Sequence, residues 1–333
     1  MTTVDVHAHL ILRDALDAMR AAHPDAGPVL LQEGGHYKLQ YPGREPLGPV
    51  APGMFDVDLR LADMDARGVD IQVLAVPPPQ FHYHADRSAG IDFARIQNDA
   101  ALELSDQYPD RFHVFPTLPL QDIEAAVAEL ERVSAHPRVR GVEIGTNVDG
   151  TDLDAAALEP IWQALSDAEL PVWVHPDQRA IAGAERLTRY YLQNLIGNPL
   201  ESTIAIACLI FGGVLERHPA LRFGFVHGGG LAPYQTGRWD HGWGCRAEPR
   251  VVIDVPPTTY FKRMFFDSLT HDRDALEFLA RRVGWQQIVL GSDYPFDMAS
   301  QDPVGAVREV GLPQADEDAV LWGNAERFLR PLR

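Results

Sequence analysis

The sequence predicts an α/β protein that folds as a closed (β/α)8 (TIM) barrel, and three observations favour this fold class. Short apolar runs rich in β-branched residues alternate along the chain with amphipathic stretches of helical period. Eight such runs are present, which is the strand number of the barrel. The chain of 333 residues is long enough to form the barrel as a single domain that spans residues 1–333.

The predicted strands have apolar centres and end at polar or turn residues. They are TVDVHAH (3–9), DIQVLAV (70–76), FHVFPTL (112–118), RGVEIGT (140–146), PVWVH (171–175), RFGFVH (222–227), RMFFDS (263–268) and QQIVLGSD (286–293). Helices are predicted at 91–107, 121–134, 155–168, 201–217, 272–283 and 315–330. Strands that alternate with helices pair in parallel through crossovers, as in a barrel. An open doubly wound sheet is the alternative, but the phosphate-binding fingerprints typical of it are missing from the sequence.

The longest stretch without a clear period lies at 24–58, between the first and second predicted strands, and is rich in Gly and Pro. An insertion after a barrel strand lies over the mouth of the barrel, where active sites form. We therefore expect the 24–58 insertion to be a lid or a substrate loop. A solvated excursion without a function is the alternative.

Composition limits the partners and the compartment that we expect. The net charge of −18 argues against binding to the phosphate backbone of nucleic acids. The two cysteines, Cys208 and Cys245, lack the spacing of a metal site, and two cysteines do not make a disulfide framework. Neither a signal-peptide pattern nor a run of 18 apolar residues is present. The expectation is a soluble, cytoplasmic protein without a membrane partner.

Five side chains at predicted strand ends stand out as candidates for chemistry. His7 and His9 flank one residue of the first strand, so both imidazoles project from the same face. His175, His227 and Asp293 end the fifth, sixth and eighth predicted strands. Taken singly, each fits a hydrogen-bonded structural residue. Together they lie where barrel enzymes build their sites, and their imidazole and carboxylate groups suit a divalent ion such as zinc.

Four motifs occur in a fixed order along the chain: DVHAHL, VHPD, FVHGGG and LGSDYPF. In this order they resemble the decarboxylase branch of the amidohydrolase superfamily. The similarity extends through segments 60–76, 196–219 and 323–329 and so covers nearly the whole chain. Within that branch, the pattern is similar to the aminocarboxymuconate semialdehyde decarboxylases. The γ-resorcylate and 5-carboxyvanillate decarboxylases are related groups.

The resemblance implies a role for each of the strand-end residues. His7, His9, His175 and Asp293 match the ligands of one divalent ion, Zn²⁺ in the first place and Mn²⁺ in some relatives. His227 matches the catalytic histidine beside the metal, and Asp293 would share the catalytic work. The implied activity is the removal of CO₂ from an unsaturated or aromatic carboxylate.

The resemblance also bears on the number of metal ions. Binuclear members of the superfamily use a modified lysine at the end of the fourth strand. The only lysines of this chain are Lys38 and Lys262, outside the fourth predicted strand, so a lysine-bridged pair of ions is not expected. Glu143 lies on that strand and is either a ligand for a second ion or a buried structural carboxylate.

Three arginines are candidates for binding the carboxylates of a substrate. Arg238 and Arg246 match family arginines with this role, one of which reaches across a dimer interface, so a homodimer is implied. Arg44, in the 24–58 insertion, matches a third. Arginine suits the role because its planar fork binds a carboxylate with two hydrogen bonds. A helix surface with ordinary ion pairs is the alternative for Arg238 and Arg246.

Other features do not fit the family pattern or allow several interpretations. Asn194 stands where the family has a tryptophan, so we expect an amide in place of an aromatic contact to the substrate. The second H-x-H, His82 and His84, is a mouth loop that touches substrate, an exposed loop or, least expected, a second metal site. The glycines 228–230 resemble an oxyanion-hole motif but are more typical of tight packing after a strand.

Two other functional classes are compatible with parts of the sequence. A hydrolase or hydratase would use the same ligands to activate water toward a small carbonyl substrate. A barrel that serves as a binding or scaffold protein would have no reason to keep all five strand-end residues. The motifs argue against a binding or scaffold protein, but they do not separate a lyase from a hydrolase.

Overall fold

The computed structural model describes residues 2–177 and 179–332. In chain order, the strands of these residues are β1 (Val4–His9), β2 (Val29–Glu33), β3 (His36–Gln40), β4 (Leu47–Val50), β5 (Ile71–Ala75), β6 (Phe112–Val114), β7 (Val142–Gly145), β8 (Asn147–Val148), β9 (Thr151–Asp152), β10 (Val172–His175), β11 (Phe223–Phe225), β12 (Phe265–Asp267) and β13 (Ile288–Val289). The α-helices are α1 (Arg13–Ala22), α2 (Val57–Arg67), α3 (Arg87–Gln107), α4 (Ile123–Ser134), α5 (Glu159–Asp167), α6 (Asn198–Phe211), α7 (Val214–Arg217), α8 (Ala232–Cys245), α9 (Pro257–Phe261), α10 (Arg273–Val283), α11 (Pro303–Glu309), α12 (Gln314–Asp318) and α13 (Asn324–Phe328).

Two parallel sheets close into the barrel. One has the strand order β1-β5-β6, and the other has the order β13-β12-β11-β10-β7. At the first seam, the Val6 N–H donates to the Leu290 carbonyl over 2.9 Å, and the Asp293 N–H donates to the His7 carbonyl over 2.8 Å. At the second seam, the Arg140 N–H donates to the Val114 carbonyl over 3.2 Å. The predicted (β/α)8 barrel is confirmed, and the open sheet is excluded.

Several elements are shorter than predicted. The third strand was expected to span 112–118, but β6 ends at Val114 because Pro116 has no N–H to donate to a neighbouring strand. The eighth, expected at 286–293, pairs as a strand only at Ile288–Val289, since the following residues turn to place Asp293. The predicted helix at 315–330 consists of α12 and α13 joined by a π-helical turn.

An aromatic layer fills the barrel below the strand-end histidines. Trp173 lies two residues before His175 on β10, and its ring centroid is 6.2 Å from that of His7. The rings of Phe115 and Phe328 pack against Trp173 at centroid distances of 6.2 Å and 5.5 Å. All three aromatic side chains are buried. The apolar layer therefore forms a dry floor, and polar groups gather above it at the carboxyl ends of the strands.

The sequence shows no clear period in the 24–58 insertion, but part of the insertion has regular secondary structure. Strands β2, β3 and β4 within it form an antiparallel sheet. The turn between β2 and β3 is Gly34-Gly35, and both glycines have positive φ, as a two-residue hairpin requires. A Gly-Gly pair between two apolar runs is a sequence pattern typical of a hairpin turn. The pattern is hard to recognise here because the whole stretch is rich in Gly and Pro.

Whether residues 1–333 form one domain stays a prediction.

The helical stretch Gln193–Phe211 is long and apolar enough to pass as a membrane span, with a mean hydropathy of 1.4. Ala205, Ile206, Leu209 and Ile210 of α6 are buried in a hydrophobic cluster shared with other helices and with barrel strands. A core helix of a soluble protein passes the same test of length and composition, so this feature is weak evidence for a membrane partner.

One buried histidine outside the strand-end group should make stability depend on pH. Burial, and then the charge of Arg140, lower the pKa of His113 to about 3, and Arg140 donates to His113 Nε2 over 3.0 Å. In the unfolded chain the imidazole gains a proton near its ordinary pKa of about 6.5. The unfolded state therefore binds the extra proton between about pH 6.5 and about pH 3, and stability falls as pH falls.

We predict that His113→Gln flattens the fall in unfolding free energy below pH 6.5 by up to about 1.4 kcal/mol per pH unit. Urea unfolding of chelator-treated protein at several pH values measures this slope. The matched control is His36→Gln, at an exposed position, which should keep the slope of the wild type. Identical slopes for wild type and His113→Gln would contradict the assignment.

Candidate metal and catalytic site

The barrel brings the predicted strand-end side chains together at its carboxyl-terminal face. One ligand atom each from His7, His9, His175 and Asp293 lies within 4.8 Å of the others, and all four residues are buried. The ring of His227 lies 5.3 Å from that of His7 and 5.2 Å from that of His175. The sequence placed the residues together because parallel strands of a barrel end at one face.

The hydrogen bonds of the three buried imidazoles fix which ring nitrogen carries the proton. His7 Nδ1 lies 2.7 Å from Asp267 Oδ2. His9 Nδ1 lies 3.2 Å from the Val76 carbonyl oxygen, and His175 Nδ1 lies 3.0 Å from that of Pro176. Carbonyl and carboxylate oxygens accept hydrogen bonds, so each Nδ1 is the donor, and each Nε2 presents a lone pair when its imidazole is neutral. Burial opposes the charged form of His7, but Asp293 and Asp267 raise the pKa of His7 to about 10, so a metal ion that binds here displaces a proton from His7 Nε2.

These lone pairs face one another across a small space, and a cation fits there. His7 Nε2 and His9 Nε2 are 3.2 Å apart, and they lie 3.3 Å and 3.2 Å from Asp293 Oδ1. His175 Nε2 is buried and has no hydrogen-bond partner among residues 2–177 and 179–332. Burial, and then the neighbouring imidazoles, hold the pKa of His175 well below its usual range. Neutral imidazoles and a carboxylate are the donor set that a divalent ion requires.

Asp293 connects the candidate ligands to His227. Its Oδ1 faces the Nε2 atoms of His7 and His9, while its Oδ2 lies 3.6 Å from His227 Nε2. The His227 side chain is 20% exposed, whereas those of His7 and His9 are fully buried. His227 therefore lies on the open side of the cluster, where a substrate can reach it.

Both His227 and Asp293 have the left-handed backbone conformation that side-chain-bearing residues rarely adopt, with φ of 54° and 61°. The glycines that follow His227, residues 228–230, also have positive φ. A Cβ on Gly230 would lie 2.2 Å from the Pro199 carbonyl oxygen, and one on Gly229 would lie 2.6 Å from the Phe266 ring. These glycines allow the loop to pack tightly. Strain of this kind persists only where the surroundings hold the backbone in place.

Asp267, which the sequence analysis did not select, holds this loop. It is fully buried, and besides accepting from His7 Nδ1 it accepts from the N–H groups of His227 and Gly228 over 2.9 Å and 2.8 Å. One carboxylate thus orients a candidate ligand and the candidate catalytic residue together. Its position near the end of the seventh predicted strand, RMFFDS, is the sequence feature that could have identified Asp267 as a site residue.

A second buried carboxylate, also not selected, joins the first and last barrel strands. Asp5 accepts from the Ser292 N–H over 3.0 Å and from Ser292 Oγ over 2.5 Å. It also accepts from Gln72 Nε2 over 3.0 Å. Burial raises the pKa of Asp5, and these hydrogen bonds oppose the rise. The network fixes the backbone beside Asp293 and so fixes where its carboxylate points.

Glu143 does not belong to the candidate ligand cluster. It is fully buried, and neither of its oxygens has a hydrogen-bond partner in the described part of the chain. Burial raises the pKa of Glu143 well above its usual range, which favours the neutral carboxyl over the carboxylate. Since a cation prefers a carboxylate, this position favours a single ion over a pair.

In the described part of the chain, none of the predicted substrate arginines forms a hydrogen bond or an ion pair with the cluster. Arg238 is exposed on α8, and Arg246, just after this helix, forms an ion pair with Glu248. Arg44 is exposed in the segment between β3 and β4. Asn194 is half-buried in a π-helical turn that precedes α6. The roles predicted for these four residues are not decided by their positions.

The second H-x-H motif does not form a metal site with the ligand cluster. His82 is buried at a φ of 55°, and its Nε2 lies 3.0 Å from Gln80 Oε1. His84 is exposed, and its Nε2 accepts from Arg179 over 2.8 Å. The two histidines thus have separate partners, and the geometry favours the interpretation as a mouth loop.

We predict that Asp267→Asn weakens Zn²⁺ affinity by about 10- to 100-fold, because an amide cannot accept from His7 and from both backbone N–H groups. Competition with a metallochromic chelator measures the affinity. Asp272→Asn is the matched control, since Asp272 caps α10 and asparagine caps a helix equally well. Unchanged zinc affinity in Asp267→Asn would show that the carboxylate does not orient His7.

Comparisons with known proteins agree with this geometry. A family model described as Amidohydrolase matches residues 4–330. A 2-amino-3-carboxymuconate-6-semialdehyde decarboxylase from Dictyostelium discoideum is 35% identical over 277 residues, which cover 83% of this chain and 77% of the relative. A γ-resorcylate decarboxylase from Rhodococcus jostii is 28% identical over 72% of this chain and 77% of its own length. A 2-keto-4-carboxy-3-hexenedioate hydratase from Sphingobium is 23% identical over 98% of this chain and 96% of its own length.

Solved structures share the fold. The 5-carboxyvanillate decarboxylase from Sphingomonas paucimobilis superposes with a TM-score of 0.83 at 23% identity, over 98% of each chain. A dihydroxybenzoic acid decarboxylase from Polaromonas, with bound manganese and an inhibitor, superposes with a TM-score of 0.80 at 20% identity, over 98% of this chain and 96% of that one. With the family model matched from the first strand to the last helix, the chain belongs to the amidohydrolase family.

Proposed function

We propose that the protein is a mononuclear metal-dependent carboxy-lyase that removes CO₂ from an unsaturated or aromatic carboxylate. The observation that carries the proposal is the convergence of three Nε2 lone pairs and Asp293 beside His227 at the mouth of the barrel. The decarboxylases among its relatives support the lyase reaction. One of them acts on a carboxymuconate semialdehyde and another on γ-resorcylate, both small unsaturated or aromatic carboxylates.

His7, His9, His175 and Asp293 would hold the ion. When bound there, a divalent ion supplies a Lewis acid that polarises an oxygen of the substrate. Three imidazoles and one carboxylate favour Zn²⁺, and the manganese of the Polaromonas decarboxylase makes Mn²⁺ the second candidate.

His227 is suited to move the proton that decarboxylation requires. When the bond between carbon and the leaving carboxylate breaks, its electron pair stays on that carbon, and a proton must be delivered there as CO₂ departs. His227 Nε2 lies at the open side of the cluster, and an imidazole can give and take a proton near neutral pH. Asp293 Oδ2, 3.6 Å away, would orient the His227 ring and stabilise its protonated form.

A hydratase or hydrolase is the second candidate, and one specific observation favours it. The hydratase from Sphingobium matches nearly the full chain, although at lower identity than the decarboxylase relatives. The same cluster of ligands can serve addition of water to a double bond or a carbonyl. Direct measurement of CO₂ separates the reactions, because hydration consumes water and releases none.

We predict that the zinc- or manganese-loaded protein releases CO₂ from at least one member of a panel of aromatic and muconate-type carboxylates. His227→Ala should keep its metal and lose about 100- to 10,000-fold in turnover, the usual worth of a proton-transfer residue. His36→Ala, an exposed control, should keep both metal and turnover. Loss of metal from His227→Ala would instead identify His227 as a metal ligand. Addition of water to a substrate without release of CO₂ would support the hydratase.

We further infer that the protein forms a homodimer through α8, with Arg238 reaching the site of the partner subunit. Leu231, Tyr234 and Arg238 lie three and four residues apart, on one face of this helical segment, and all are exposed. Tyr234 is 79% exposed although its ring lies 6.5 Å from that of Phe278, and such exposure is unusual for a large aromatic side chain. Small residues on the same helix, Gly237 and Gly244, leave room for close approach of a second helix.

The cytoplasmic location stays a prediction.

We predict that the wild type sediments as a dimer and that Tyr234→Asp sediments as a monomer, because a buried unpaired charge opposes association. Analytical ultracentrifugation measures the mass, and Leu59→Asp on α2 is the control at another exposed apolar position. A monomeric wild type would refute the dimer, and it would have no bearing on the proposed lyase reaction.

A further inference from the structure

Two loops that follow non-adjacent barrel strands meet at the mouth of the barrel. Residues 179–192 lie between β10 and α6, and β10 ends at the candidate ligand His175. In the ring of barrel strands, β11 and β12 separate β10 from β13. The Tyr191 hydroxyl nevertheless donates to Asp297 Oδ1 over 3.3 Å, and Asp297 lies in the segment that follows β13. Both loops follow the carboxyl ends of their strands, so this contact spans part of the face that carries the candidate site.

The segment that Tyr191 contacts also carries part of the candidate site. The Phe296 N–H donates to the Asp293 carbonyl over 3.0 Å, which closes a turn directly before Asp297. The Phe296 ring lies 5.2 Å from the ring of the candidate ligand His9. Burial, and then the charges of Asp297 and Asp293, raise the pKa of the Tyr191 hydroxyl to about 12. Tyr191 is therefore close enough to the ligand cluster for the charge of Asp293 to act on it.

Residues 179–192 are anchored near their start and exposed further along. The Ala182 N–H donates to Glu201 Oε1 over 2.7 Å, and Ile181 before it is buried. From 183 to 191, every residue is exposed or half-buried. A stretch with little buried surface needs little free energy to open while the rest of the fold stays intact. The 183–191 stretch can therefore move, and the hydrogen bond of Tyr191 ties its far end down.

The backbone at the far end of this stretch has a rare conformation. Tyr190 and Tyr191 both have a φ of 60°, in the left-handed region that bulky residues seldom adopt. A π-helical turn, Gln193–Gly197, follows directly and leads into α6. Backbone strain of this kind persists only where other contacts hold it. The hydrogen bond from Tyr191 to Asp297 is such a contact, so its loss favours relaxation of the stretch away from the mouth.

We propose that residues 183–191 form a movable lid over the candidate metal site and that the hydrogen bond from Tyr191 to Asp297 holds the lid closed. The closed lid limits the access of water and solutes to the ligand cluster. The open lid lets a substrate enter and a product leave. The inference rests on the proposed metal site, and it applies to a lyase and to a hydratase alike.

The rate at which a chelator removes zinc tests the lid without turnover. A chelator reaches the ion only while the lid is open, so the rate of removal from zinc-loaded protein follows the open fraction. We predict that Tyr191→Phe loses zinc about 3- to 10-fold faster than the wild type, the range of one hydrogen bond. Stopped-flow absorbance with an excess of a metallochromic chelator measures the rate. The zinc affinity at equilibrium should stay within about twofold, because Tyr191→Phe changes no ligand.

The neighbouring tyrosine provides a matched control. Tyr190→Phe also removes one hydroxyl at a φ of 60°, but Tyr190 is 76% exposed and its ring lies under the guanidinium of Arg189. This variant should lose zinc at the rate of the wild type. Asp297→Ala removes the acceptor and should match Tyr191→Phe. The double variant of Tyr191 and Asp297 should be no faster than either single variant, because both remove the same hydrogen bond.

Three results would overturn the lid while zinc binding by the wild type stays intact. One is an equal rate of zinc loss in the wild type and Tyr191→Phe, and another is the same acceleration in Tyr190→Phe. The third is a loss of zinc affinity in Tyr191→Phe as large as the gain in rate, since the tyrosine would then act on the ligands themselves. A wild type that binds no zinc would refute the proposed metal site, and the lid with it.

Discussion

The site depends on the carboxylate of Asp267 and the hydrogen bonds it accepts. One oxygen fixes His7 in the tautomer whose Nε2 faces the candidate metal position, and the same group holds the backbone of His227 and Gly228 in a left-handed turn. Without a fixed acceptor, the imidazole could rotate and the turn could relax to an ordinary conformation. The candidate metal ligand His7 and the candidate catalytic residue His227 are therefore linked through one buried anion at the end of β12.

The surroundings of that anion explain why so many polar groups can be buried together. The floor of Trp173, Phe115 and Phe328 keeps water out from below, so each polar group above it needs a partner within the protein or a ligand. Asp5 and Asp267 find theirs in backbone and side-chain donors. Among the described residues, His175 Nε2 has no partner, and the Nε2 atoms of His7 and His9 meet only each other and Asp293. This difference separates the groups that build the site from the groups that are available to bind a metal ion.

The fold and the candidate ligands could be predicted because they follow from short-range periodicity. Alternation along a strand puts His7 and His9 on one face, and the end of each apolar run locates His175, His227 and Asp293. The supporting residues escaped prediction because their partners are remote in sequence. Asp267 contacts a histidine 260 positions away, a distance at which no period links two residues. The sheet in the 24–58 stretch was missed for a different reason, since its Gly34-Gly35 turn was read as part of a glycine-rich loop.

The small antiparallel sheet of β2, β3 and β4 has a consequence for how such a protein can diversify. Its strands pair with one another, while the barrel strands pair among themselves, and the two sheets meet through side chains such as Leu39, Tyr41 and Ile11. The segment at 42–46, which carries the exposed Arg44, lies outside both sheets and can thus change in length or sequence with little effect on the barrel ladder. The candidate metal ligands lie at the ends of barrel strands and the candidate substrate residue Arg44 does not, so selection can alter the one part of the chain while it preserves the other.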